Sequence, residues 1–350
     1  MQFNLHLSMD HHHKAYGGRR LFEEMLQQAV LADRLGWRSV SVTEHHLLEL
    51  GLMPSPLMAA VKIAAHTRDV EILTAVAVLP LRDMRIFAGE VVTADIFTEG
   101  RLVLGVGRGA YRYEMERLGV PMEETRERFD ESLAVLQALL SREEVSWRGK
   151  YYNFEPLTVM PRPHRPGGPP MMVAVLAPEA IYHCTKRGFH ILTNPLTGDA
   201  AHFRSQVEAF RRARAELGEA GRHLTLTVSR AAFPTGSESQ RRRLLDLAQD
   251  HYARFDNVFT GPGLVDAGIA RALPRTQTVE ELGRNLLVCP TGEMVERLGE
   301  YAELGVDRVS LMLNFGAEQQ ETLEAIQRIA EEVMPHFATA AAARPVALTA

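Results

Sequence analysis

The chain alternates between two hydrophobic periods. Phe3, Leu5 and Leu7 take every second position of residues 2–7, the repeat of a half-buried strand. Over residues 20–35 the apolar positions become Leu21, Met25, Ala29, Ala32 and Leu35, which is helical spacing, and Gly36 follows as a residue suited to a left-handed cap. The two periods then repeat: strands at 39–43, 70–79 and 101–106, helices at 57–66 and 83–97, with Pro54 and Pro56 opening the first of these helices. No hairpin signal separates the strands, so the pattern predicts parallel strands joined by crossover helices.

The second half continues with interruptions. Residues 111–140 read as helical throughout, and residues 145–154 read as a hairpin around Gly149 and Lys150, ahead of a proline-rich loop at 161–170. Further strands at 171–176, 189–193, 224–233 and 308–313 alternate with helices at 178–187, 200–217, 237–255, 291–304 and 319–333. Eight strands with helices between them predict a TIM (β/α)8 barrel, the hairpin and residues 256–288 being insertions. One domain is expected over residues 1–337, with an Ala-rich tail at 338–350 expected to fray. Residues 256–288 fall between the seventh and eighth strands, on the face where such barrels place their chemistry. Gly261, Pro262, Gly263 and Gly268 break regular structure there, and the segment is expected to act as a lid.

Composition narrows the classes. A net charge of -5 with mixed signs offers no basic stripe for nucleic acid. The two cysteines, Cys184 and Cys289, are too far apart in sequence to suggest a disulfide framework or a clustered thiolate site. The start of the chain lacks a basic leader, and no apolar run approaches the roughly 20 residues of a membrane span. A cytoplasmic enzyme is the expectation.

The densest candidate chemistry lies at 43–46, where a β-branched strand ends in Thr43, Glu44, His45 and His46. A bland reading, one histidine satisfying a neighbouring carboxylate, competes with a catalytic one. A second candidate, Gly105-Val106-Gly107-Arg108-Gly109-Ala110, fits the dinucleotide fingerprint, but the second strand and ribose-binding acid of that unit are missing. What survives is local: glycines that admit a ligand close to the backbone, beside the fixed charge of Arg108. His11, His12 and His13 cannot all face one ion, so no metal site is expected and a solvated loop is.

Glu44-His45-His46-Leu47-Leu48-Glu49-Leu50-Gly51-Leu52, then Ala75-Val76-Ala77-Val78-Leu79-Pro80-Leu81, Gly100-Arg101-Leu102 and Gly105-Val106-Gly107-Arg108-Gly109 together resemble the bacterial luciferase-like flavin-dependent monooxygenases. The resemblance runs from about residue 1 to 145, more loosely to 195 and over the last two strands. It implies a TIM barrel binding reduced FMN, commonly a dimer, often supplied with flavin by a separate flavin reductase. It gives His45 the position of the family's catalytic histidine, with Glu44 beside it, and sets Gly107 where luciferase has a cysteine near the reactive flavin carbon. Arg108 and Arg126 match phosphate-holding arginines, Tyr111 a pocket tyrosine, and Ala75-Val76 a non-prolyl cis peptide under the ring. At the start of the fifth helix, Ala177-Pro178-Glu179-Ala180 departs from the hydroxyl residues the family often has, leaving the backbone amide of Ala177 for a phosphate, with Leu176 beside it as a further cofactor-binding candidate. The family also packs the helices at 57–66 and 83–97 across its dimer interface.

The implied reaction is oxygenation of a small, largely apolar substrate by a flavin C4a-peroxide formed from reduced FMN and O2. His45 is of the residue type suited to proton transfer near neutral pH. Two alternatives share the barrel: hydride transfer with a flavin or the deazaflavin F420, and a noncatalytic flavin-binding partner subunit.

Overall fold

The computed structural model describes residues 1–12, 17–195 and 200–338. Eight parallel strands close on themselves: β1 Gln2–His6, β2 Ser39–Val42, β3 Glu71–Thr74, β4 Leu102–Gly107, β5 Met171–Ala174, β6 His190–Thr193, β7 Leu226–Pro234 and β8 Arg308–Met312. Each pairs with its neighbour in this order, and β8 returns to β1 with Gln2 beside Arg308 and His6 beside Met312. This is the predicted TIM barrel.

The strand period explains both surfaces of the wall. Phe3 and Leu5 face outward, Phe3 meeting Trp37 edge-on at 6.3 Å. Asn4 faces inward and donates to Ser41 Oγ at 2.8 Å and Ser310 Oγ at 2.7 Å, tying β2 and β8 to β1 through the barrel interior. Below this layer the buried Arg308 guanidinium donates to Glu71 at 2.9 Å. Outside, the helices seal the wall: Met25, Ala29 and Ala32 of Gly18–Arg34 are all buried, as the helical spacing requires. Burying one large aliphatic side chain contributes about 1.5 to 3 kcal/mol, so this shell is the main favourable term.

Three segments differ from the sequence expectation. The strand expected over 70–79 is split, because a cis peptide at Ala75-Val76 separates β3 from Ala77–Val78, which pairs with Val106 and Gly107. The helix expected throughout 111–140 is broken into Arg112–Arg117, a 3-10 turn at Met122–Glu124, and Thr125–Ser141. Gly119, at a φ of 81°, marks the break, since a left-handed residue ends a helix.

Residues 256–288 are more regular than their glycines suggest. The preceding helix, Glu238–Phe259, runs past 255. A small hairpin pairs Val265–Asp266 with Ile269–Ala270, and a helix Val279–Asn285 starts at a Thr278–Glu281 capping box. Leu287–Cys289 then adds a strand beside the end of β7. The hairpin at 145–154 is present, pairing Val145–Arg148 with Asn153–Leu157. The Ala-rich tail from residue 339 onward lies outside the described residues.

Candidate active site

Every barrel strand delivers its last residues to one mouth. There a cavity of about 450 Å3 opens, lined among others by His6, His45, Tyr111, Arg230, His251 and Phe255. The segment after β7 forms its roof: Asp256, Phe259, Arg275 and Leu286 line it, and Glu49 N–H donates to the Gly268 carbonyl at 2.8 Å. Arg275 donates to Asp256 at 2.8 Å, tying two parts of this roof together.

His45 is fixed from three sides. Its Nδ1 lies 3.0 Å from Glu114 Oε1, and Glu114 Oε2 accepts the His46 amide at 2.8 Å. Its ring stacks on Tyr111 with centroids 4.0 Å apart and planes 8° from parallel. Gly51, at a φ of 63°, closes the loop behind it; a Cβ there would come within 2.7 Å of the imidazole. With Nδ1 held against this carboxylate, Nε2 is the nitrogen left to exchange a proton. The Tyr111 phenol is pushed up well above its ordinary pKa by burial, with Asp10 and Glu114 adding to the shift, so it stays a neutral donor.

Glu44 is buried beneath, not in, the cavity. It accepts from Val78 N–H at 2.9 Å and from Arg82, and contacts His46 Nε2 at 2.8 Å. It therefore holds the loop that carries His45. Glu114 and Arg82, both absent from the sequence reading, supply this support. Glu114 sits in a charged run, Arg112-Tyr113-Glu114-Met115-Glu116-Arg117, that reads as a solvated face, and nothing local marks it as buried.

The other expected site residues gather at a neighbouring edge of the mouth. Exposed Arg108, just past β4, donates to Thr125 Oγ1 at 3.2 Å, which places it next to exposed Arg126. Arg126 in turn acts electrostatically on Cys184, in the helix Pro178–Lys186 whose N-cap is Ala177. Leu176 and Ala177 are exposed there. Val76 covers Gly107 so closely that a Cβ on Gly107 would come within 2.5 Å of Val76 Cγ2. None of Arg108, Arg126, Leu176 and Ala177 lines the 450 Å3 cavity itself.

On the opposite wall Asp10, His12 and His251 converge, with potential ligand atoms within 4.8 Å of one another, a set that could accept a divalent cation. Asp10 also accepts from Ser8 Oγ and Gly51 N–H, both at 2.6 Å, and is held below the usual carboxylate range by His251, His12 and these donors against the opposing effect of burial. Only His12 of the histidine run joins this cluster; His11 donates its amide to Glu49 O, and His13 lies outside the described residues. His6, pointing into the barrel mouth, is lowered to about 4, mainly by burial.

The sequence profile of the luciferase-like monooxygenases matches residues 1–308. The chain belongs to that family. It is an oxidoreductase of the monooxygenase class. It is 25% identical over 353 residues to the oxygenase component of a flavin-dependent trigonelline monooxygenase from Acinetobacter baylyi, covering 96% of each chain. It is 27% identical over 327 residues to an F420-dependent glucose-6-phosphate dehydrogenase from Beutenbergia cavernae, covering 90% of this chain and 93% of that one. The crystal structure of a monooxygenase from Streptomyces bottropensis superposes with a TM-score of 0.83 at 23% identity, over 97% of this chain and all of that one, and shares the fold. Among the described residues no helix is long and apolar enough to cross a membrane.

Proposed function

We propose that this luciferase-like monooxygenase is the oxygenase component of a two-component system, taking reduced FMN from a separate flavin reductase and transferring an oxygen atom from O2 to a small organic molecule in the cavity. The observation that carries the reading is the His45 imidazole, oriented by the buried Glu114 carboxyl group and stacked on Tyr111 at the cavity wall. Bound reduced flavin would supply the electrons for oxygen activation.

The residues at the mouth suit that group. Arg108 and Arg126 offer two guanidiniums beside Thr125, and the first amides of Pro178–Lys186, from Ala177, offer neutral donors, a donor set fit for a phosphate. Ala75, Val76 and Gly107 form the adjacent floor, close-packed and without side-chain charge. His45 Nε2 holds or delivers a proton where oxygen and substrate meet. The roof over the cavity limits the access of water to His45, which strengthens the electrostatic contacts made there.

Two features refine the reading. The cavity wall carries His6, Asp10, Arg230 and His251 as well as aromatic rings, so the substrate is more polar than the sequence alone suggests. Met58, Ile86 and Phe97 lie 74%, 66% and 62% exposed on the helices Pro56–Ala64 and Met84–Phe97, an apolar surface that supports a homodimer packed through those helices. Sedimentation of the full chain tests that assembly.

The relative that uses F420 keeps a second reading in view, hydride transfer without oxygen. Anaerobic titration with reduced FMN and with reduced F420, followed by admission of O2, separates them. The oxygenase reading expects tight binding of reduced FMN and oxygen-dependent turnover; preference for F420 with turnover in the absence of oxygen would replace it.

A further inference from the structure

Asp10, His12 and His251 have no part in the proposed reaction, yet the fold brings them to one point from two distant segments. Asp10 and His12 follow β1, and His251 lies in the helix Glu238–Phe259 at the roof of the cavity. Asp10 and His251 are each 5% exposed. The His251 ring lies 17° from parallel with Phe255, and its Nδ1 is buried without a hydrogen-bond partner among the described residues. A buried polar atom is normally paired, so this one points to a group that belongs beside it.

The spacings identify that group. Asp10 Oδ2 lies 3.5 Å from His251 Nδ1 and 3.8 Å from His12 Nε2, and one ligand atom from each of the three residues falls within 4.8 Å of the others. Good hydrogen bonds to nitrogen run to about 3.2 Å, so both contacts are too long for one. A water bridging two such groups at about 2.8 Å from each holds them roughly 4.6 Å apart, so both are too short for that. Two ligands on a tetrahedral ion, at about 2.0 to 2.2 Å each, stand roughly 3.3 to 3.6 Å apart, which is nearest to what is seen. The carboxylate is already oriented: Ser8 Oγ donates to Oδ2 and Gly51 N–H to Oδ1, both at 2.6 Å, and Oδ2 keeps a lone pair for a ligand.

We infer that Asp10, His12 and His251 form a binding site for one divalent transition-metal ion of the zinc type at the edge of the cavity. Two imidazoles and one carboxylate favour such an ion over magnesium, which prefers an octahedron of oxygens. The run His11-His12-His13 cannot enclose an ion by itself; the fold completes His12 with two residues from elsewhere. With three protein ligands a four-coordinate ion keeps one position open, and Asp10 and His251 both line the cavity that gives access to it. The ion ties the roof helix to the segment after β1, and the site stands apart from the proposed oxygenase function.

Isothermal titration of the full chain, treated with a chelator and free of flavin, with zinc and with magnesium reads the site directly. One zinc ion should bind per chain with a Kd of about 1 μM or below, and magnesium at least about 100-fold more weakly. Cobalt(II) in place of zinc should give the visible absorption of a four- or five-coordinate ion. His251→Ala and Asp10→Asn, each checked for native circular dichroism, should lose the cobalt bands and at least about 100-fold in zinc affinity. Absence of zinc binding by the unaltered protein, or equal binding of zinc and magnesium, overturns the inference even if neither variant folds. Zinc binding unchanged in a folded His251→Ala protein would assign the ion to the histidines at 11–13 and overturns it as well. None of these titrations uses flavin or oxygen, so failure of the oxygenase reading leaves their result standing.

Discussion

Glu114 Oε1 lies 3.0 Å from His45 Nδ1 while its second oxygen accepts the neighbouring amide of His46, so one buried carboxylate fixes both the ring and the backbone that carries it. Glu114→Ala should leave two donors unmet, at about 1 to 3 kcal/mol each, and lower stability in urea by that order. Glu114→Gln keeps the shape, and its fold should survive. It loses the carboxylate that orders His45, and oxygenated product per reduced flavin should fall, with hydrogen peroxide rising to match. Wild-type coupling in Glu114→Gln would remove Glu114 from the mechanism.

Arg108 and Arg126 are proposed to hold a phosphate. Arg108→Ala should therefore weaken FMN more than riboflavin, by the roughly 1.5 to 3 kcal/mol of a charge-assisted contact, because only FMN carries the charge. Equal losses for the two flavins in a fluorescence titration would detach Arg108 from the phosphate.

Stability should fall in mild acid. His190 accepts the Thr225 amide at 3.1 Å on Nδ1, which requires a neutral ring, and burial, helped by His223 and Arg308, lowers it to about 4. His6 is lowered to about 4 as well. Between roughly pH 6.5 and 4 the unfolded chain binds protons that the folded one refuses, so stability is full above about 6.5 and is lost as pH falls through this window. The upper limit is about 1.4 kcal/mol per pH unit for each group, less for both because each ring is partly exposed. Urea denaturation of His190→Asn across this range should show a shallower pH slope. An unchanged slope would mean that His190 takes no part.

The resemblance sets Gly107 where luciferase has a cysteine, yet Val76 occupies the space. Gly107→Cys should lower the thermal midpoint, since its Cβ would come within 2.5 Å of Val76 Cγ2. Adding Val76→Ala should recover most of the loss. If Gly107→Cys alone were neutral, the close approach would not constrain this floor. Gly105 is tighter still: a Cβ would lie 1.9 Å from the Thr74 carbonyl oxygen, which is backbone and has no rotamer to change.

The barrel was readable because its signals are local. Alternation at Phe3, Leu5 and Leu7 and helical spacing from Leu21 to Leu35 each report burial within a few residues. The break at Gly119 was hidden, because apolar residues on either side keep a helical rhythm. The capping box at Thr278–Glu281 was present in the sequence but obscured by the glycines before it. His45, Tyr111 and the pair Arg108 and Arg126 are named as candidates by motif and resemblance. Glu114 is not, because nothing in a linear charge pattern tells which acid will be buried 69 positions from its histidine. That contact exists only once the strands have closed.

The central claim is that His45 serves oxygen transfer from O2 with reduced FMN. The most direct measurement mixes the protein and reduced FMN with 18O2 and a panel of small organic molecules, and follows product mass, with His45→Ala alongside. The account predicts one 18O atom in the product from the wild-type chain. In a folded, FMN-binding His45→Ala protein it predicts about 100-fold less, with hydrogen peroxide in its place, on the scale of general acid–base catalysis. Equal 18O incorporation by that variant, or substrate oxidation that proceeds with reduced F420 chemistry and no 18O, would contradict it.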